Sequence, residues 1–82
     1  MKTVKYRIVL PTGEEEAGQA VSLFVKDAQN VATILPDYGR TVMALKDGAL
    51  SLSPATGTVK SFSFKSGFLK VQNNSVFCCI VS

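Results

Sequence analysis

Acidic side chains are the residues of this chain that could perform acid–base or metal chemistry. Among them, Asp37, Asp47 and the run Glu14–Glu16 have no partner base or second metal ligand at a recognisable spacing. The sequence contains no histidine, so the commonest general base and metal ligand is missing. We therefore predict a protein that is not an enzyme, with no catalytic residues, cofactor or metal site. The acidic run is interpreted as an exposed strand edge.

The two cysteines are adjacent, at Cys78 and Cys79, so they cannot link distant parts of one chain. Neighbouring residues of a strand point to opposite faces, which argues against a redox pair. They are interpreted as small apolar residues in a strand, in a protein from a reducing compartment.

Phenylalanine and lysine alternate loosely in the second half of the chain, which is one pattern of a nucleic-acid-binding barrel. Phe62, Phe64 and Phe68 lie among Lys60, Lys65 and Lys70. Aromatic side chains that stack on bases, beside a basic groove, bind single strands in this way. However, Phe62 and Phe64 share one face of a strand whose other face is serine, which favours core packing. A small β-barrel that binds single-stranded nucleic acid remains the alternative function.

Composition predicts one ordered domain over residues 1–82. Hydrophobic residues make up 46% and charged residues 18% of the chain, which excludes a disordered protein. The net charge of +3 is too small for a dedicated nucleic-acid binder. The longest apolar run, Val76–Val81, is far shorter than a membrane-spanning helix requires. We expect a soluble protein whose few charges leave part of the surface for a partner.

Strand patterns cover the chain, and no stretch keeps a helical period over three turns. Val4, Tyr6, Ile8 and Leu10, for example, alternate with Lys5, Arg7 and Val9. Turns rich in glycine, proline and asparagine separate the strand patterns. The expected fold is therefore all-β: a flattened β-sandwich of roughly eight to ten short, mostly antiparallel strands.

Two local patterns give sharper expectations. Lys46-Asp47-Gly48 lies between two apolar stretches, and Asp-Gly is a strong hairpin signal, so Gly48 is predicted to have a positive φ. Ser66-Gly67 is expected to bend or bulge a strand. Phe68, which follows it directly, is predicted to anchor the core.

The last strand pattern is apolar on both faces. Val76, Cys78 and Ile80 share one face, and Phe77, Cys79 and Val81 share the other. A strand of a solvated sandwich should be polar on its outer face. We therefore expect one set to face the core and a partner to cover Phe77 and its neighbours.

Two segments resemble the epsilon subunit of F-type ATP synthases, which corresponds to the delta subunit of the mitochondrial enzyme. Pro36, Ala44, Leu45, Lys46 and Gly48 match, in order and spacing, a loop-and-strand motif that in the family reads Pro-Gly-His-Ala-Pro followed by Leu-Leu-Thr-Ala-Leu-Lys-Pro-Gly. Ser66–Val71 is similar to the family's Ser-Gly-Gly-Phe-Leu-Glu-Val, with one glycine fewer. The loop Asp37-Tyr38-Gly39-Arg40 departs from the family pattern.

The resemblance implies a non-catalytic subunit of the central stalk, or rotor, that couples the gamma subunit to the membrane-embedded proton-conducting ring. It also implies a peripheral membrane protein on the cytoplasmic face of a bacterial inner membrane, or the organellar equivalent, with no nucleic-acid partner. The family usually continues into a C-terminal helical hairpin, and this sequence ends where that hairpin would begin. With Phe77 from the last strand, two loops supply the expected partner-binding residues: Gln29, Asn30, Val31, Pro36, Tyr38, Arg40 and Phe77.

Overall fold

The computed structural model describes residues 2–81, so the first and last residues of the expected domain lie outside the described part. Its regular elements are six strands, and within these residues no helix is long and apolar enough to cross a membrane. The strands are β1 (Val4–Val9), β2 (Glu15–Lys26), β3 (Val31–Ile34), β4 (Thr41–Pro54), β5 (Lys60–Gln72) and β6 (Ser75–Val81).

The strands form a sheet that folds over on itself. The order is β1-β6-β5-β4-β2-β3, and β1 also pairs with β2. All neighbours are antiparallel except β1 and β6, which are parallel. The strand registers divide this sheet into two layers, which we call the first and second sheets. The first sheet contains β1, β6, residues 15–20 of β2, residues 41–46 of β4 and residues 66–72 of β5. The second sheet contains β3 and the remaining parts of those three strands, so the expected all-β sandwich is confirmed.

The strands are fewer and longer than the turn signals indicated. Strands β2, β4 and β5 have 12, 14 and 13 residues, which exceeds the usual strand length of about 5–6 residues. Each of them belongs to both sheets. Strands β4 and β5 pass from one sheet to the other in a single register, whereas β2 exchanges its partner β1 for β4 at a register shift between Ala20 and Ser22. A pattern of eight to ten short strands was expected because a bend within a strand uses the same residue types as a turn.

The predicted hairpin turn at Lys46-Asp47-Gly48 was wrong, because β4 continues through it. Gly48 pairs with Phe64 of β5, and the left-handed residue is instead Asp47, with φ 52°. Gly48 is needed for another reason. A Cβ at this position would lie 2.5 Å from the Cα of Asp27 and would also overlap the carbonyl oxygen of Lys26. The Asp-Gly pair therefore marks the place where β4 bends closely against the end of β2.

The core lies between the two sheets, and it follows the predicted alternation at both ends of the chain. In β6, Val76 and Ile80 are 2% exposed and Cys78 is fully buried. The buried hydrophobic residues are Val4, Tyr6, Ile8, Ala20, Leu23, Val25, Ile34, Leu45, Leu50, Leu52, Phe64, Leu69, Val71, Val76, Cys78 and Ile80. One face of β6 therefore packs in the core, and its other face points outward.

The prediction that Phe68 anchors the core was wrong, since Phe68 is 43% exposed. Phe64 points inward, Lys65 and Ser66 are both exposed, and Leu69 points inward again. The strand thus changes the phase of its alternation at the Ser66-Gly67 bend. A side chain at Gly67 would overlap the backbone of β6 at Cys79 and Ile80. This change of phase places Phe68 on the outer surface.

Candidate partner-binding surface

The outer surface of the first sheet carries adjacent apolar side chains from β4, β5 and β6. Val42 is 69% exposed, Phe68 43% and Val81 51%, and Phe77 and Cys79 are half-buried. The strand register places Phe68 opposite Cys79 and places Phe77 beside Lys70. We call this surface, formed by Val42, Phe68, Phe77, Cys79 and Val81, the aromatic face.

Two neighbours hold the ring of Phe77 in place. The centroids of the Phe68 and Phe77 rings are 5.8 Å apart, at an interplanar angle of 49°. The guanidinium carbon of Arg7 lies 5.4 Å from the centroid of Phe77, on its face. This is the geometry of a cation–π contact. Phe77 is therefore oriented before any partner arrives, which lowers the entropy that binding would cost.

Glu15 positions the guanidinium group of Arg7 that lies over Phe77. Arg7 Nη2 donates to Glu15 Oε1 at 2.5 Å, across the β1–β2 pair. This hydrogen bond and the attraction of opposite charges raise the pKa of Arg7. The same hydrogen bond lowers the pKa of Glu15. Glu15 thus belongs to a chain of contacts that runs from Glu15 through Arg7 and Phe77 to Phe68.

A shallow concavity of about 500 Å³ adjoins the aromatic face near the β5–β6 turn. Phe77 forms part of its wall, and the charged side chains that line it are Lys5, Arg7 and Lys70, all basic. The other lining residues are Tyr6, Gln72, Asn73, Ser75 and Val76. The aromatic face is therefore positively charged towards the turn.

The chemistry available at this surface is packing and ion pairing. Between Lys2 and Val81, no group of three or more Cys, Asp or Glu residues is placed to hold a metal ion. Cys79 is the thiol of the aromatic face, and the other cysteine, Cys78, is buried in the core, where desolvation raises its pKa to about 12. The surface is thus suited to docking a macromolecule.

The aromatic residues that suggested a nucleic-acid-binding barrel are for the most part internal. Phe64 is 5% exposed, and Phe62 is partly buried against the core. Phe68 is exposed, but its neighbour on the surface is Phe77, which is not one of the phenylalanines of that sequence pattern. The lysines are exposed without the row of free aromatic rings that base stacking requires.

The first predicted loop, between β2 and β3, is held against the edge of β4 by Asp27. The carboxylate of Asp27 accepts hydrogen bonds from the backbone N–H groups of Gln29 (2.8 Å), Asn30 (2.5 Å) and Lys46 (2.8 Å). Burial opposes ionisation of Asp27, but these hydrogen bonds outweigh it and lower its pKa. The side chain of Asn30 donates to the carbonyl of Ala44 at 2.9 Å.

These contacts give the loop residues different roles. The side chain of Asn30 is used internally, whereas Gln29 is exposed and Val31 is 69% exposed. The loop takes the place of a neighbouring strand on β4, because it satisfies backbone groups that an edge strand leaves free. Of the three residues predicted here, Gln29 and Val31 are the ones presented to the outside.

The second predicted loop, between β3 and β4, lies against the β5–β6 turn. Asp37, at φ 65°, donates its N–H to Asn74 Oδ1 at 2.5 Å, and its carboxylate pairs with Lys2 at 2.7 Å. Tyr38 is 41% exposed, Arg40 is exposed and Pro36 is half-buried.

The structure does not gather the seven predicted residues into one site. The two loops lie at opposite ends of the four-residue strand β3, which belongs to the second sheet, while Phe77 lies on the outer face of the first. The predicted partner-binding residues include Phe77 but not its neighbours Phe68, Arg7 and Lys70. The pairing of β6 with β5 and β1 would have identified them, and no local pattern reveals that pairing.

Comparison with known proteins supports the fold and identifies the family. A search of curated proteins found no match. Two similar solved structures are chains of mitochondrial ATP synthases, described as the central stalk/c-ring of Tetrahymena thermophila and as OSCP/F1/c-ring of Euglena gracilis. The Tetrahymena chain is 14% identical with a TM-score of 0.81, and the Euglena chain is 16% identical with a TM-score of 0.85.

This chain is covered almost completely in both comparisons, at 99% and 98%, but it spans only 65% and 51% of those longer chains. Residues 3–80 match the family described as ATP synthase, Delta/Epsilon chain, beta-sandwich domain. The chain therefore belongs to the delta/epsilon family of ATP synthase subunits, as a β-sandwich domain of that family.

Proposed function

We propose that this domain is a non-catalytic part of the central stalk of an F-type ATP synthase, where it couples the gamma subunit to the membrane-embedded proton-conducting ring. The observation that carries the proposal is the aromatic face, whose partly exposed and oriented rings have no cover within residues 2–81. Family membership supports it, as do the two solved structures described as parts of ATP synthases. The domain would then lie at the membrane surface as a peripheral subunit, on the cytoplasmic side in a bacterium or the equivalent side in an organelle.

The aromatic face is assigned to gamma because it brings together exposed or half-buried apolar side chains from three neighbouring strands. Covering a large apolar side chain stabilises a complex by about 1.5–3 kcal/mol if the side chain goes from exposed to buried. Phe68 and Phe77 are partly buried already, so their cover supplies a fraction of that value. Their fixed orientation limits the entropy lost on binding.

The two loops are assigned to further contacts with the ring or with gamma: the first loop lies away from the aromatic face, and the second lies beside it, against the β5–β6 turn. Gln29 and Val31 project from the first loop, and Tyr38 and Arg40 from the second. Asp27 and Asp37 hold the two loops by hydrogen bonds to the rest of the domain. Loops fixed in this way can transmit a displacement instead of absorbing it, which a coupling subunit requires.

The test compares Phe77→Ser with a matched control, Phe24→Ser. Phe24 is also partly exposed, at 41%, but it lies on the outer face of the second sheet. Binding to purified gamma subunit from the same organism is measured by calorimetry, and folding by circular dichroism. We expect both variants to fold, and we expect Phe77→Ser to weaken gamma binding by about tenfold or more, which is ~1.4 kcal/mol.

Three outcomes would contradict the proposal. The wild-type domain could fail to bind gamma, Phe24→Ser could weaken binding as much as Phe77→Ser, or Phe77→Ser could bind as tightly as the wild type. If Phe77→Ser does not fold, Phe68→Ser replaces it, because Phe68 is the more exposed of the two rings. Unchanged gamma binding by a folded Phe68→Ser variant would then refute the assignment.

A further inference from the structure

The aromatic face is bordered by basic side chains at its end near the β5–β6 turn. Lys5 and Lys70 line the concavity near the β5–β6 turn, on either side of β6, together with Arg7. Glu15 neutralises Arg7. In the part of the chain that the structure describes, neither lysine has an acidic group within ion-pair distance. Two positive charges without an acidic partner among the described residues therefore border the apolar rings at the end of the face near the β5–β6 turn.

The strand register fixes this arrangement. Lys70 is directly opposite Phe77 in the β5–β6 pair, and Arg7 is the neighbour of Phe77 in the β1–β6 pair. Lys5 lies two residues before Arg7 on the same side of β1, next to Ser75. At the other end of the face, the row of Cys79 contains Ala44, Phe68 and Val9, whereas Val81 is separated from the exposed Lys46 by Ser66.

A nucleic acid fits this surface poorly, although its phosphates would be attracted to the lysines. Binding of single strands requires aromatic faces on which bases can stack. Here the guanidinium of Arg7 lies over one face of Phe77, and Phe68 contacts the same ring at a tilt. An apolar protein side chain needs no flat ring face and can pack against the two tilted rings.

We propose that the partner segment seated on the aromatic face places carboxylates against Lys5 and Lys70 and an apolar side chain against Phe68 and Phe77. This inference rests on the function proposed above, and it names the chemistry of the partner surface. The ionic contacts lie at the rim of the face, where charges mainly raise the association rate and select the partner. Their effect should therefore decrease as salt is added, because exposed charges are screened.

The test combines charge reversal with zero-length crosslinking, and its probe is purified gamma subunit from the same organism. Lys5→Glu and Lys70→Glu are compared with Lys26→Glu, a matched control whose exposed lysine lies on the second sheet. At low ionic strength we expect the first two variants to bind gamma about tenfold or more weakly, and the control within about twofold of wild type. At high salt the difference from wild type should fall to about twofold or less. A carbodiimide should link Lys5 or Lys70, but not Lys26, to Asp or Glu of gamma.

The outcomes separate this inference from the proposed function. If Phe77→Ser weakens gamma binding but charge reversal at Lys5 and Lys70 does not, the partner surface carries no carboxylates there and the inference is refuted, while the stalk function stands. If the wild-type domain does not bind gamma at all, the stalk function is refuted, and the inference with it. Tight, salt-sensitive binding of a single-stranded oligonucleotide that is lost in Lys70→Glu, without any crosslink to gamma, would also overturn the inference.

Discussion

Gly48→Ala is the substitution whose effect the structure predicts most sharply. The added methyl group would lie 2.5 Å from the Cα and Cβ of Asp27 and would overlap the carbonyl oxygen of Lys26. Comfortable contacts between carbon atoms are roughly 3.5–4.0 Å, so the end of β2 must move away by about 1 Å. Most of the obstructing atoms are backbone, which cannot rotate out of the way.

The expected cost has two parts. Overpacking of this kind typically costs about 1–3 kcal/mol. The movement also strains the hydrogen bond from the N–H of Ala28 to the carbonyl of Lys46 and that from Lys46 N–H to Asp27, each with a net value of about 0.5–1.5 kcal/mol. We therefore expect a loss of roughly 2–5 kcal/mol, which lowers the melting temperature by about 10–30 °C in a domain of this size.

The assay is thermal and urea unfolding of the two variants Gly48→Ala and Gly13→Ala. Gly13 has a φ of 91°, but a Cβ there would meet nothing within 4 Å. Its substitution therefore measures backbone strain alone, at roughly 1–2 kcal/mol. If Gly48→Ala melts within about 2 °C of the wild type, or is no less stable than Gly13→Ala, the close approach of β2 and β4 is refuted.

Three further predictions concern buried and ionisable groups. Phe64→Ala should lower the free energy of unfolding by roughly 3–5 kcal/mol, and Phe68→Ala by no more than about 1.5 kcal/mol; equal losses in urea denaturation would contradict the observed exposures. Because the pKa of Asp27 is lowered in the folded state, its stabilising effect is present at neutral pH and is lost as the pH falls through that lowered pKa. Thermal melts should accordingly show a smaller acid-induced decrease in stability for Asp27→Asn than for the wild type, and parallel decreases would refute the role of this carboxylate. Burial raises the pKa of the Cys78 thiol to about 12, so a thiol reagent near pH 8 should label Cys79 alone in the folded domain and both cysteines in urea; two labelled thiols in the folded protein would refute the placement of Cys78.

The features that follow from alternation were predictable from the sequence. The inward residues of β1 and β6 were identified correctly because a strand with one buried face shows its orientation in a period of two. The outward position of Phe77 followed from the same argument. The all-β sandwich was predicted because every long stretch of the chain carried a strand pattern, and the family resemblance agreed with it.

The features that depend on contact between distant segments were not predictable. Asp47-Gly48 has the composition of a hairpin turn, yet Gly48 is required because the backbone of Lys26 and Asp27 approaches it from β2. Phe68 was assigned to the core because nothing in the local sequence shows that the alternation of inward and outward side chains shifts at Ser66-Gly67. The hydrogen bond by which Asp27 holds β4 was also not predicted, since an aspartate in a loop is equally typical of a simple turn.

The three long strands have a mechanical consequence. In a sandwich built from separate strands, only side-chain contacts resist a force that slides one layer over the other. Here β2, β4 and β5 run from one sheet into the other, and the β4–β5 ladder is continuous in register from Thr41 opposite Val71 to Leu52 opposite Lys60. A sliding force is therefore carried by covalent backbone and by many hydrogen bonds loaded together. The first part to yield under load should be the short outer strand β3, whose ladder among the described strands consists of four residue pairs with β2.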